Sequence, residues 1–268
     1  MKGDNRLVVA KLARTAKGGL IAVDSAADTF GCTTRQAALK LAALARRGWL
    51  QRARRGLYLV LPLEVEPGKQ TVAEDPWILG QEVFSPCYIG GWSAAEHWGL
   101  TEQIFRSILV VTAARVRAKT IVLLGQEFRL FRVKADRMEG IGTIWRGSQR
   151  VRISSKERTI VDCLRNPELC GGIRTAASML SQYLNSSESN PEKLLAELRS
   201  AGSGAVWKRF GYLMEALWPG RNTFISEALA KRTAGNVKLD PAVSAKGKLL
   251  RRWRLWGNVR FTNQSDSA

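Results

Sequence analysis

The chain has 268 residues, 45% of them hydrophobic, which is enough for one large domain or two with a true core. Its 42 Lys+Arg against 23 Asp+Glu leave a net charge of +19 and a pI near 10.5, a balance that attracts polyanions, nucleic acid first and anionic membrane second. Four scattered cysteines without a C-x-x-C pair and a single histidine exclude a disulfide scaffold and a zinc module, and no apolar run reaches the roughly 20 residues that span a bilayer.

The opening MKGDNRLVVAKLARTAK lacks the apolar core of a signal peptide and reads as a helix of a cytoplasmic protein. Leu7, Val8, Lys11, Leu12 and Thr15 fall at helical spacings until Gly18-Gly19. A second helix is predicted from Ala22 to Phe30, stopped by Gly31. Thr33-x-x-Gln36 forms a capping box for a third, which runs to Arg47 with Ala37, Leu41 and Leu44 as its buried stripe. After Gly48 come two short strands within 49–60, turning around Arg54–Gly56. Helix, helix, helix, hairpin is the order of a winged helix-turn-helix, here 1–62. Pro62 to Gly68 reads as a linker, and a larger domain at 66–268 gives an α+β protein.

In that second domain helices are predicted at Pro76–Gln81 and Trp92–Trp98, the latter capped by Ser93. Strands are predicted at Ser107–Thr112, Thr120–Leu124, Phe128–Val133 and Ile144–Ile153. Ser154-Ser155-Lys156-Glu157 reads as another capping box, with Glu157 as the partner, opening a helix at Arg158–Arg165. From Thr175 the chain is mostly helical, with a closing strand at Leu255–Thr262.

The charge is uneven. Residues 1–60 hold 12 Lys+Arg and 3 acids, 61–240 hold 24 and 19, and 241–268 hold 6 and 1. The first segment therefore carries about half of the excess, as a nucleic-acid-binding module would. In a winged helix-turn-helix the third helix enters the major groove with its N-terminal residues toward the base edges. Thr33, Thr34, Arg35 and Gln36 occupy that end, and arginine and glutamine read bases by geometry. Lys40, Arg46 and Arg47 stand along the helix to hold phosphates. Arg52, Arg54 and Arg55 sit in or beside the wing, within reach of the backbone or minor groove. The tail supplies a second basic surface, Lys246, Lys248, Arg251, Arg252 and Arg254, interleaved with Trp253 and Trp256.

Reactive constellations are harder to find. Gly90-Gly91-Trp92-Ser93 has the look of a nucleotidyltransferase phosphate turn, but the paired carboxylates such an enzyme needs for Mg²⁺ are missing: no Asp-x-Asp occurs in the chain. His97, the lone histidine, stands between Glu96 and Trp98 as a structural residue. Glu157 and Asp162, five apart, fall on different sides of a helix. No phosphate-cradling G-x-x-x-x-G-K-[S/T] loop is present. No catalytic residue, metal or cofactor is expected.

The set of motifs, in order, resembles a known family. An Arg54-Arg55-Gly56-x-Tyr58 wing is followed by Tyr88-Ile89-Gly90-Gly91-Trp92-Ser93-Ala94. Ser154-Ser155-Lys156-Glu157-Arg158-Thr159-Ile160-Val161-Asp162 comes next, and then Pro167-Glu168-Leu169-Cys170-Gly171-Gly172-Ile173. This arrangement is similar to the AbiEi-type antitoxins of type IV toxin–antitoxin systems, over nearly the whole chain. The resemblance implies a bacterial, non-enzymatic, two-domain protein. Its winged helix would bind inverted repeats in double-stranded promoter DNA and repress its own operon, and the protein would counteract a separately encoded nucleotidyltransferase toxin. It also implies a DNA role for Thr34, Arg35, Gln36, Lys40 and the wing arginines. The alternatives are a ligand-responsive winged-helix transcription factor and a nucleic-acid-acting enzyme targeted by the winged helix.

Overall fold

The computed structural model describes residues 2–61, 75–138, 141–201 and 203–261. The predicted linker at 62–68 lies outside them. The fold is α+β, and the chain divides into two compact units, Met1–Ile89 with Arg106–Ile153 and Gly90–Phe105 with Ser154–Ala268.

The first unit begins with α1 (Lys2–Thr15), β1 (Leu20–Ala22), α2 (Val23–Phe30) and α3 (Thr34–Arg46), then β2 (Leu50–Arg54) and β3 (Leu57–Val60). Helix α1 buries Val9 and Leu12, whereas Leu7, which the spacing predicts on the packed stripe, is 68% exposed. The buried stripe thus falls on Val9 and Leu12. Strand β1, read as loop and helix start from sequence, exists through its partner: it pairs antiparallel with β3, giving a sheet of order β1-β3-β2. Helix α2 stops at Gly31, whose φ of 59° is the left-handed C-cap conformation that glycine adopts without strain. The α3 capping box is complete on both sides. Ala37, Leu41 and Leu44 enter a core shared with Val9, Leu12, Ile21, Ala26, Leu50 and Tyr58. Full burial of each leucine contributes about 1.5–3 kcal/mol.

The same unit continues with α4 (Pro76–Phe84), β4 (Cys87–Ile89), β5 (Ile108–Thr112), β6 (Thr120–Leu123), β7 (Gln126–Arg132), β8 (Gly142–Arg146) and β9 (Gln149–Ile153). These strands form one mixed sheet of order β6-β7-β5-β4-β9-β8. The central strands β4 and β5 are buried throughout, and all their residues are apolar except Thr112. The single strand predicted over 144–153 is instead the end of a hairpin, folded back at Gly147 with a φ of 56°. Helix α4 lies against the sheet, with Phe84 edge-on to Phe128 at 5.4 Å and the Thr112 hydroxyl donating to the Phe84 carbonyl at 2.7 Å. Its Gln81 stands in for a strand: it donates to the Arg150 carbonyl and accepts from the Arg152 N–H, at 2.7 and 2.6 Å.

The second unit holds α5 (Gly91–His97), α6 (Lys156–Arg165), α7 (Ile173–Asn185), α8 (Pro191–Ala201), α9 (Gly204–Leu217) and α10 (Asn222–Lys231). Three short strands follow: β10 (Val237–Lys238), β11 (Lys248–Leu250) and β12 (Leu255–Gly257), in the order β10-β12-β11. The predicted capping box at 154–157 is displaced by one residue. Ser155 is the N-cap and accepts from the Arg158 N–H, while Glu157 accepts a hydrogen bond from the Tyr183 hydroxyl at 2.9 Å. Ser93 is likewise buried inside α5, whose N-cap is Gly90.

Buried Arg209 on α9 fastens this unit. Its guanidinium donates to the carbonyls of Leu164 and Arg165 at the end of α6 and of Lys238 and Leu239 beside β10, at 2.8–3.3 Å. Burial pulls its pKa down to about 10, with the Asp240 carboxylate opposing the shift. Nearby, Trp253 packs its ring where α9 has Gly211, and a Cβ at that position would overlap the indole and approach Ala228 to 2.7 Å. Gly211→Ala is therefore expected to cost about 1–3 kcal/mol by overpacking. That should lower Tm by roughly 2–4 °C per kcal/mol in a thermal melt. Gly235→Ala, where an added Cβ meets nothing within 4 Å, is expected to leave the midpoint in place.

Candidate nucleic-acid interface

Between Asp28 and Glu64 the chain has no acidic residue but seven cations: Arg35, Lys40, Arg46, Arg47, Arg52, Arg54 and Arg55. All seven side chains are exposed. None forms an ion pair with another described residue. Helix α3 fixes where they point. With Ala37, Leu41 and Leu44 directed into the core, steps of about 100° per residue put Arg35, Leu39, Ala42 and Arg46 on the opposite side. Gln36, Lys40 and Arg47 flank that row.

The N-terminal residues divide into two kinds. Thr33 and Gln36 bond to each other: Thr33 Oγ1 accepts from the Gln36 N–H at 3.3 Å, and Gln36 Oε1 accepts from the Thr33 N–H at 3.1 Å and from its hydroxyl at 3.2 Å. Their oxygens serve the helix end. Thr34 and Arg35 have no such engagement among the described residues and stand exposed beside them. Lys40 leans back over the Phe30 ring at 5.1 Å, a cation–π contact with α2.

The wing is short. Strand β2 carries a bulge between Arg52 and Arg54, so Ala53 has no partner in the ladder, and Gly56 closes the turn with a φ of 81°. Arg52 and Arg55 are exposed. Arg54 is tethered: its guanidinium donates to the Glu82 carbonyl of α4 at 3.2 Å and to the Arg55 carbonyl at 3.4 Å.

The predicted second basic surface falls in the other unit, and two of its five members hold their own fold together. Arg252 pairs with Glu215 at 2.9 Å, and Arg254, in a left-handed conformation with a φ of 53°, donates to the Ala234 carbonyl. Lys246 lies 4.1 Å from the Trp256 ring centroid, while Trp253 is buried and donates to Glu215. Lys248 and Arg251 remain exposed, with no ion pair among the described residues.

In the motif at 154–162 several side chains bond within their own unit. The Ser154 and Thr159 hydroxyls bond inside the core at 2.7 Å. Buried Arg158 pairs with Asp162 at 2.9 Å and reaches Glu197 at 4.0 Å. Exposed His97 packs edge-on against Trp98 at 4.6 Å. Among the described residues no group of three or more His, Cys, Asp or Glu side chains is placed to hold a metal ion, and no helix is long and apolar enough to cross a membrane.

Two features escaped the sequence reading. Leu39, 66% exposed, occupies the middle of the outer row of α3, a position the 35/39/42/46 spacing reveals once the buried stripe is fixed. Residues 106–153 carry 11 Lys+Arg against 3 acids, an excess hidden when 61–240 is averaged as one segment.

No family model matches this chain, and no curated protein matches it. Among solved structures it is similar to the RV2827C protein from Mycobacterium tuberculosis, with 18% sequence identity and a TM-score of 0.60, over 92% of this chain and 89% of that one. At that identity the likeness speaks for the fold alone.

The cap geometry separates two neighbouring threonines. Thr33→Ala is expected to destabilise the protein by about 1 kcal/mol and to speed amide exchange in the first turn of α3. Thr34→Ala is expected to stay within about 0.5 kcal/mol of the parent in the same denaturation and exchange measurements, as exposed positions do.

Proposed function

We propose that this protein is a DNA-binding transcriptional autorepressor and antitoxin, without enzymatic activity of its own. The observation that carries the reading is the run of seven exposed cations, uninterrupted by any acid, around a capped helix whose outer row is Arg35, Leu39, Ala42 and Arg46. The order α1-β1-α2-α3-β2-β3 fits a winged helix-turn-helix, with α3 as the recognition helix and the β2–β3 turn as the wing. In that arrangement Arg35 reaches base edges and Leu39 meets a thymine methyl, while small Ala42 lets the helix lie deep in the groove. Arg46, Arg47, Arg52 and Arg55 hold phosphates, which position the helix without reading sequence.

The antitoxin half rests on the ordered motifs that resemble those of AbiEi-type proteins. On that reading the operator is an inverted repeat upstream of the protein's own gene, and the partner is a separately encoded nucleotidyltransferase toxin.

Fluorescence anisotropy on the duplex upstream of the gene and on a scrambled duplex tests the DNA half. Six to ten neutralised phosphates would lower affinity about three to five decades between 50 and 200 mM salt. Arg35→Ala is expected to narrow the preference for the specific duplex. Arg52→Ala or Arg55→Ala is expected to weaken both duplexes alike and to reduce the salt slope by about 0.9 for each phosphate no longer neutralised. Equal affinity for the two duplexes at about 0.15 M salt would defeat the proposal. A nucleotidyltransferase frame beside the gene, co-expressed with this protein, tests the other half: absence of such a frame, or growth that stays arrested, removes the antitoxin role and leaves repression standing.

A further inference from the structure

We propose that the second unit carries a binding cleft for a nucleotide, a phosphate on a planar ring system, between α7, the end of α9 and the segment at 260–261. The cleft has a volume of about 640 Å³, within the span of small-molecule sites. Helix α7 supplies one wall. Arg174, Ser178, Ser181 and Asn185 recur at steps of four, three and four, so all four line the same side of the helix. The opposite side carries Ile173, Ala176, Leu180 and Leu184 into the core. A polar row of this composition along one wall of an open cleft is the first sign of a site.

The electrostatics give the second sign. Among the described residues no Asp or Glu lines the cleft, while two arginines do. Arg174 and Arg260 form no ion pair among the described residues, and the Arg174 guanidinium donates to the Arg260 carbonyl at 3.5 Å, which brings the two residues together. Two guanidinium forks beside serine hydroxyls and an asparagine amide form a donor set that suits phosphate oxygens.

The third sign is the far wall. Trp218 follows α9, and Phe261 is steadied by Tyr212 at 6.2 Å between ring centroids. Aromatic faces accept any flat base by stacking, without reading its edge. Phosphate donors at one side and rings at the other match a nucleotide better than a bare anion or an apolar metabolite.

Thermal shift and calorimetry on the full chain, without DNA, test this. The probes are adenosine and guanosine 5′-monophosphates, the unphosphorylated nucleosides and inorganic phosphate. The monophosphates are expected to raise the unfolding midpoint by at least about 2 °C at saturating concentration. Each half of the ligand alone should give less than half of that shift. The paired change Arg174→Gln with Arg260→Gln, at two exposed positions, is expected to abolish the response while leaving the ligand-free midpoint and DNA affinity unchanged. Lys193→Gln, an exposed cation outside the cleft, is expected to preserve it. No shift with any nucleotide, a shift retained by the paired variant, or an equal response to inorganic phosphate would each overturn the proposal. None of these outcomes bears on DNA recognition.

Discussion

Three of the thirteen residues of helix α3 are buried, and everything proposed for the amino-terminal elements depends on that grip. Ala37, Leu41 and Leu44 go inward, the Thr33–Gln36 box closes the end, and Gly31 sets the turn from α2. Once those are fixed, the remaining side chains have no freedom to choose a side. Arg35 and Arg46 must point away from the core, with Leu39 between them. The chain offers no acid from residue 29 to 63 to neutralise them, so folding gathers like charges on one small surface. Such crowding is unfavourable in itself and relaxed only by screening or by a polyanion. Under the proposed reading, duplex DNA supplies the opposite charge that the neighbouring sequence lacks.

The second unit uses the same residue types in the opposite way. Arg158, Lys208 and Arg209 are buried, each with designated acceptors: a carboxylate for Arg158, the Gly235 carbonyl for Lys208, and four carbonyls for Arg209. Removing such acceptors would leave an uncompensated buried charge, a far larger penalty than losing an exposed pair. Net charge alone therefore says little about where a cation acts. Burial and acceptor geometry divide fasteners from presented groups, and Arg252 and Arg254 in the basic tail fall on the fastening side.

This division also explains what could be read from sequence. The capping box at Thr33–Gln36 was legible because both partners lie within one turn. The same pattern at Ser154–Glu157 misled, since Tyr183, 26 residues on in sequence, holds Glu157 and Ser155 takes the cap. Strand β1 has three residues and no periodicity to detect; only pairing with Leu57–Leu59 makes it a strand. The turn at Gly147 was marked by Arg146-Gly147-Ser148-Gln149, a polar break that the single-strand expectation for 144–153 passed over. The cleft beside α7 draws on residues from 174 to 261, a spread that leaves no local signature. What the sequence did display was charge, because charge needs no partner to be counted.

The charge count also constrains how specificity could arise under the proposed reading. Met1–Ile89 with Arg106–Ile153 carries 24 Lys+Arg against 11 Asp+Glu, so general attraction to any duplex would be strong and salt-sensitive. Discrimination must then come from the few side chains that can face base edges. The cap removes the oxygens of Thr33 and Gln36 from that set, and the contact with Phe30 draws Lys40 aside. Thr34, Arg35 and Leu39 are left, and the two stronger readers among them are Arg35, a bidentate donor suited to guanine, and Leu39, an apolar surface suited to a thymine methyl. With each good base contact contributing about 1–3 kcal/mol, two such positions in one protomer give only modest selectivity. A symmetric pair of protomers on an inverted repeat doubles the number of read positions without adding a new kind of contact, so an operator of that form follows from how little α3 has available to read with.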